Sequence, residues 1–244
     1  MKKVIEVEGL TKVYNNGRGI KNISFEVYKG EVFGFLGPNG AGKTTVMKSI
    51  IGLNSFESGK IKILGFDIKT QFEDALKNVG SIIETAEAYE YMSAYDNLKI
   101  ASRFYKDIKE TDIDEILDIV KLKEFKKEKV SKFSLGMKQR LSLALALLSK
   151  PELVILDEPT NGLDIEGTVQ MRNMITKLSK EQGITFFISS HLVHEIEIMC
   201  NRIAIIHNGK LIDNGKDIDK IKNEYNSLED FYMQSIQEEA KDRE

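Results

Sequence analysis

One cysteine stands in 244 residues, Cys200. A single thiol excludes an internal disulfide framework and fits a reducing compartment. It lies in an apolar helical stretch, Glu195–Cys200, which marks it as a buried structural thiol. No window reaches the roughly 18 consecutive apolar residues that a membrane-spanning helix needs. The first residues, MKKVIEVEGL, lack the apolar core and small-residue cleavage site of a signal peptide. The expectation is a cytoplasmic chain that works at a membrane only if another polypeptide anchors it. Neither sign of charge dominates: 35 basic against 38 acidic residues leave a net charge of −3, so bulk electrostatics give no pull toward nucleic acid or anionic lipid, and no nucleic-acid partner is expected. Internal repeats and low-complexity linkers are absent. What remains, with 41% hydrophobic residues, suffices for one large domain or two small ones.

Strand-like and helix-like patterns alternate, the mark of an α/β fold. Lys3–Glu8, Ile23–Val27, Glu31–Leu36, Lys60–Leu64 and Val79–Ile83 read as strands, with a helix from Lys43 to about Gly52. From about Thr85 the pattern becomes helical: Ser93–Tyr105, Asp112–Val120 and Ser134–Leu148, the last with Ser134 as N-cap. Strands return at Leu153–Leu156, Ile184–Ser189 and Arg202–Ile206. Lys210–Asn214 pairs back through Asn208–Gly209, a strong hairpin signal. The organisation expected is one domain: an α/β core from 1–84 and 150–218, a helical insertion at 85–149, and a C-terminal helix or tail at 219–244. Lys121–Lys132 holds six lysines and two glutamates and reads as a solvated face. The tail Glu224–Glu244, seven acids against two bases, reads as solvent-facing.

GPNGAGKT at Gly37–Thr44 fits G-x-x-x-x-G-K-[ST]. A strand leads in and a helix leads out, the context this phosphate loop requires. Gly37, Asn39, Gly40, Ala41 and Gly42 form the cradle, and the glycines let backbone N–H groups approach phosphate oxygens. Lys43 is expected to reach the β- and γ-phosphates, Thr44 to ligate Mg²⁺ and Thr45 to hydrogen-bond the phosphates. The apolar strand LVIL delivers Asp157 and Glu158 to its C-terminal end, where ligands of parallel sheets bind. Asp157 reads as a Mg²⁺ holder and Glu158 as the group that polarises the attacking water. Two carboxylates beside phosphates imply the metal, since without it they would repel the ligand. The pair of motifs predicts a site for Mg²⁺-ATP and its hydrolysis.

With SLGMKQR at Ser134–Arg140 added, the chain resembles the ATP-binding subunit of ABC transporters over essentially its full length. The resemblance implies a P-loop NTPase core with an inserted α-helical subdomain and an N-terminal antiparallel β subdomain. In that family two subunits face head to tail, each ATP lying between one P-loop and the partner's signature helix, and Ser134–Lys138 stands at the signature. Leu135 and Met137 depart from the common Gly and Gln, leaving Ser134 and Gly136 as the γ-phosphate contacts. Tyr14 stands where the family stacks an aromatic on adenine. His191, after the strand run ISSH, stands at the switch histidine near the γ-phosphate. Asn161–Asp164 matches the loop that crosses the dimer interface, with Asp164 coupling the sites. Glu84 takes the place of a usual Gln and is expected to bind metal through its charge. Glu84 together with SLGMKQR looks like the exporter branch associated with bacitracin and lantibiotic resistance.

The resemblance implies a Mg²⁺-dependent ATPase, peripheral on the inner face of the membrane. Its partners would be a second ATP-binding subunit, as a homodimer, and an integral-membrane permease. The stretch from Glu84 to Tyr105 carries four tyrosines and suits the permease contact. The cargo class would be a peptide antibiotic or similar amphiphile. A soluble ABC-type ATPase serving ribosomes, DNA or cluster assembly is the alternative. It is disfavoured by a single cassette, the lack of a long coiled-coil insertion and the absence of net basic charge.

Overall fold

The computed structural model describes residues 2–84 and 88–241. Strands β1 (Lys3–Val13) and β2 (Gly19–Tyr28) form a hairpin, and β3 (Val32–Leu36) runs into the phosphate loop and α1 (Lys43–Ile50). Next come β4 (Ser58–Ile63), β5 (Phe66–Asp67), α2 (Phe72–Leu76) and β6 (Val79–Ile82). Helices α3 (Ala94–Ser102), α4 (Glu110–Ile119) and α5 (Leu135–Leu147) follow. The chain then returns through β7 (Leu153–Asp157), α6 (Ile165–Gln182), β8 (Thr185–Ser190), α7 (Val193–Met199), β9 (Arg202–His207) and β10 (Lys210–Asp217), and closes with α8 (Ile218–Glu224) and α9 (Leu228–Lys241).

Two sheets result. One is antiparallel, ordered β2-β1-β4-β5; the other is ordered β10-β9-β3-β8-β7-β6 and parallel except for β10. Period-2 alternation sorts the larger sheet's residues between two cores. Leu36, Leu156, Ile188 and Ile205 face the helices, while Phe35, Ile155, Phe187 and Ile206 face α1 and the antiparallel sheet. Phe25 of β2 meets Phe33, Phe35 and Phe187 at ring-centroid distances of 5.5–5.8 Å, gluing the two sheets together. Arg202 Nη1 donates to both Glu31 carboxylate oxygens, at 2.9 and 3.3 Å, and the guanidinium lies over the Tyr28 ring. Burial raises the Glu31 pKa, opposed by a Tyr28 backbone hydrogen bond and by Arg202.

The expected strands and the three helices of the insertion are present, each within a few residues except that β1 extends to Val13. The antiparallel sheet of the expected N-terminal subdomain is β2-β1-β4-β5. Residues 85–87, where the insertion begins, and 242–244 of the tail lie outside the described residues. The insertion is not a separate body: Leu98, Ile113, Leu117 and Leu141 share one core with β7 and β8. Helix α5 presses on β6 so closely that a Cβ on Gly80 would lie 2.1 Å from the Ala146 carbonyl oxygen.

The longest helix, α6, was not anticipated, although its signals are present. Met171, Met174, Ile175 and Leu178 bury one face at helical spacing, Asp164 caps the start, and Gly183 at φ 67° ends it. The acidic tail is a correction. Rather than facing solvent throughout, α9 docks through buried Leu228, Phe231 and Ser235. Cys200 is buried as expected. No helix among the described residues is long and apolar enough to cross a membrane.

Candidate functional site

The site lies at the C-terminal ends of β3, β7 and β8, three neighbours in the parallel sheet. β3 delivers the phosphate loop, with Gly40 at φ 80° and Gly42 at φ 111°, conformations that disfavour a side chain. Close packing fixes the loop from behind, where a Cβ on Gly37 would sit 2.3 Å from the Ile206 carbonyl oxygen. No side chain caps the first turn of α1, so its N–H groups are available to an anion. Asn39 and Gly40 are exposed, while Ala41 and Lys43 are buried.

Lys43 Nζ donates to the Gly37 carbonyl at 2.7 Å and to Pro38 at 3.3 Å, which folds the loop over the lysine. It also pairs with Glu158 Oε1 at 3.0 Å. His191 Nδ1 sits 2.5 Å from Glu158 Oε2, so the carboxylate is held at both oxygens. Glu158 itself adopts φ 51°, a left-handed backbone costing about 1–3 kcal/mol in a non-glycine residue. That turn at the end of β7 aims the carboxylate across the loop instead of along the strand.

Thr44 Oγ1 donates to Asp157 Oδ2 at 2.7 Å. The other Asp157 oxygen accepts from Ser189 Oγ, which in turn accepts from Glu158 N–H at 2.9 Å. Ser189 thus ties together the two adjacent acids and the strand leading to His191. Sequence reasoning did not single it out, although it stands in the ISSH run. Thr44 and Asp157 present neighbouring oxygens suited to a hard cation. Among the described residues no group of three or more His, Cys, Asp or Glu could hold a metal ion. A magnesium ion here would therefore draw its remaining oxygens from ligand and water, as this ion commonly does.

Tyr14 stands at the tip of the β1–β2 hairpin, 40% exposed, and its hydroxyl accepts from Asn54 Nδ2 at 3.1 Å. Lys12 Nζ lies over one face of its ring, 5.4 Å from the centroid, so a flat ligand ring would take the opposite face or displace the lysine. Glu84, at φ 68° just after β6, pairs with Lys48 of α1 rather than with Asp157 or Thr44. Thr45 is the third residue of α1, half-buried, and its carbonyl accepts from Ser49 Oγ at 2.8 Å.

Ser134 and Asp164 occupy a second surface. Ser134 Oγ caps α5 by accepting from Met137 N–H at 3.2 Å, and Asp164 caps α6 by accepting from Gly167 N–H at 2.7 Å. A cleft of about 420 Å³ opens between the two helix starts, lined by Ser134, Gly136, Arg140, Asp164 and Glu166 among others. Burial lowers the Arg140 pKa, opposed by Glu166. Among the described residues neither Ser134 nor Asp164 bonds to the chain's own phosphate loop. The Ser134 hydroxyl hydrogen remains available to donate.

The ABC transporter family profile matches residues 20–161. The chain is 45% identical over 213 residues to the bacitracin transport ATP-binding protein BcrA of Bacillus licheniformis, spanning 87% of this chain and 70% of that one. To the lantibiotic transport ATP-binding protein SrtF of Streptococcus pyogenes it is 40% identical, over 86% of this chain and 89% of the relative. A solved ATP-binding subunit of an ABC transporter superposes with a TM-score of 0.82 at 28% identity, covering 96% of this chain and 99% of that structure.

Proposed function

Because the chain belongs to the ABC transporter family, we propose that it is the ATP-hydrolysing subunit of an exporter for a peptide antibiotic or similar amphiphile. The observation that carries the chemistry is the bonded run Thr44–Asp157–Ser189 beside Lys43–Glu158–His191. The cargo class rests on the bacitracin and lantibiotic transport relatives.

In this reading Tyr14 stacks on adenine, and the phosphate-loop amides and Lys43 bind the phosphates. Thr44 and Asp157 hold Mg²⁺, which neutralises phosphate charge when bound. Glu84 joins them only by leaving Lys48. Glu158 orients a water and accepts its proton at a carboxylate oxygen, while His191 fixes that carboxylate through Nδ1. Lys43 leaves Glu158 Oε1 for the phosphates, which frees that oxygen for the water while His191 keeps the other in place.

Ser134, Gly136 and Asp164 serve the partner's ATP, since they lie away from this chain's own loop, and the working unit is a homodimer. Residues 1–84 and 150–218 form the ATPase core, 85–149 the helical unit, and 219–244 the terminal segment. The permease contact lies in the stretch from Glu84 to Tyr105, where Tyr89 and Tyr91 are 51% and 70% exposed. Attachment to that permease would place the chain on the inner face of the membrane.

The test is an affinity pull-down of the chain from detergent-solubilised host membranes, followed by Mg²⁺-dependent ATPase assay of what is recovered. A stoichiometric multi-spanning protein with stimulated ATPase activity is expected. Recovery with ribosomal or DNA-repair proteins instead would move the same chemistry to a soluble ABC ATPase.

A further inference from the structure

The Asn208–Gly209 turn closes the β9–β10 hairpin, and its backbone faces two parts of the site at once. Gly209 N–H donates to the Ala41 carbonyl, inside the phosphate loop, at 3.0 Å. The Gly209 carbonyl accepts from Lys21 N–H, on β2, at 2.8 Å. β2 is the return strand of the hairpin whose tip carries Tyr14. Val13 pairs with Gly19 across that hairpin, and Tyr14 N–H donates to the Arg18 carbonyl at 2.7 Å. One glycine therefore bonds the phosphate cradle on one side and the tyrosine hairpin on the other.

The junction has no slack. Gly209 adopts φ 76°, and a Cβ there would lie 2.1 Å from the Gly19 carbonyl oxygen. Beside it, a Cβ on Gly42 would lie 2.5 Å from Ile20 Cγ2. Ile20, Ala41 and Ile206 are all buried around these contacts. Most of the opposing atoms are backbone or fully packed aliphatic, so an added methyl must separate β2 from the turn.

We propose that Gly209 is a positioning residue that sets the spacing between Tyr14 and the phosphate loop, so that the base and phosphates of one ATP are gripped together. This rests on the ATP-site reading. A ligand with two recognised ends gains from both only when the two subsites are held in register. The turn supplies that register through Ala41 and Lys21, without touching the nucleotide itself.

The test compares the full chain with Gly209→Ala by calorimetric titration of ATP and of inorganic triphosphate, which carries no base. Stacking on an aromatic is worth about 5- to 150-fold in affinity. The substitution should weaken ATP about tenfold or more while leaving triphosphate within about threefold, so that the ratio approaches that of Tyr14→Ala. Equal loss of both ligands, or loss of neither, overturns the proposal. Hydrogen exchange on the unmutated chain guards against a variant that fails to fold. Triphosphate alone should slow exchange at the Tyr14 and Lys21 amides; protection confined to residues 37–45 also overturns it. A wild-type chain that binds neither ligand sinks the ATP-site reading as well, whereas normal binding with an unaffected Gly209→Ala ratio sinks only the positioning role.

Discussion

Replacing Glu158 by Gln removes one charge and almost no volume. The Gln side chain keeps an oxygen that can accept from Lys43, now 3.0 Å from Glu158 Oε1, and the other end still reaches His191. Lys43 is no longer held by a full negative charge, so its hold on a phosphate should be equal or stronger. Under the proposed mechanism, what disappears is the group that takes the water's proton. General-base removal costs about 10²- to 10⁴-fold in rate. At about 1.4 kcal/mol per decade that is about 3–5 kcal/mol on the barrier. Glu158→Gln should therefore bind ATP at least as tightly as the wild type, hydrolyse it at least a hundredfold more slowly, and accumulate as an ATP-bound dimer. Single-turnover phosphate release gives the rate, calorimetry the affinity, and size-exclusion chromatography with ATP the dimer. Phosphate release within threefold of wild type would refute the assignment. So would a tenfold weaker ATP affinity with unchanged chemistry, which would make Glu158 a structural prop for Lys43.

Four other outcomes follow from the same geometry. Tyr14→Ala should weaken ATP binding by about 1–3 kcal/mol in a nucleotide titration, and an unchanged affinity removes the stacking role. Lys48→Ala releases Glu84, so the Mg²⁺ concentration at half-maximal ATPase rate should fall by up to about fivefold, the worth of one partly exposed ion pair; no change, or a rise, leaves Glu84 outside the metal site. Burial pushes the Cys200 thiol pKa up, so the native chain should resist an aromatic disulfide reagent at neutral pH and react only on unfolding. Fast native-state labelling would contradict that burial. Gly80→Ala sets a methyl against the Ala146 carbonyl and should cost about 1–3 kcal/mol, lowering the melting temperature by several degrees, whereas an unchanged melting curve would show that α5 yields.

The elements that carry the candidate site were legible because their signals are local. GPNGAGKT between a strand and a helix, LVILDEP, and the Asn208–Gly209 turn each fit within ten residues. Asn208 at φ 48° and Gly209 at φ 76° have the two left-handed residues that such a tight hairpin demands. Helix α6 carries equally local signals in its Asp164 cap, its apolar spacing and its Gly183 stop. Phe66–Asp67 and Phe72–Leu76 are too short for periodicity to register. What no local pattern could reveal is long-range. The strand order, the Ser189 bridge between Asp157 and the Glu158 amide, and the pairing of Glu84 with Lys48 depend on which segments the sheet brings together.

The contact between Gly80 and the Ala146 carbonyl has a consequence for how such a chain can change over generations. Cores ordinarily drift by exchange, one side chain growing as its neighbour shrinks. That trade needs two side chains, and here glycine has none while the opposing atom is main chain. A larger residue at position 80 could be accommodated only by moving α5 bodily, and with it Ser134 at the helix's far end, about 20 Å away for 13 residues. The seat of the helix on the sheet is thus fixed by main chain on one side and by glycine on the other. Diversification is thereby channelled into what the helical unit touches and away from where it points.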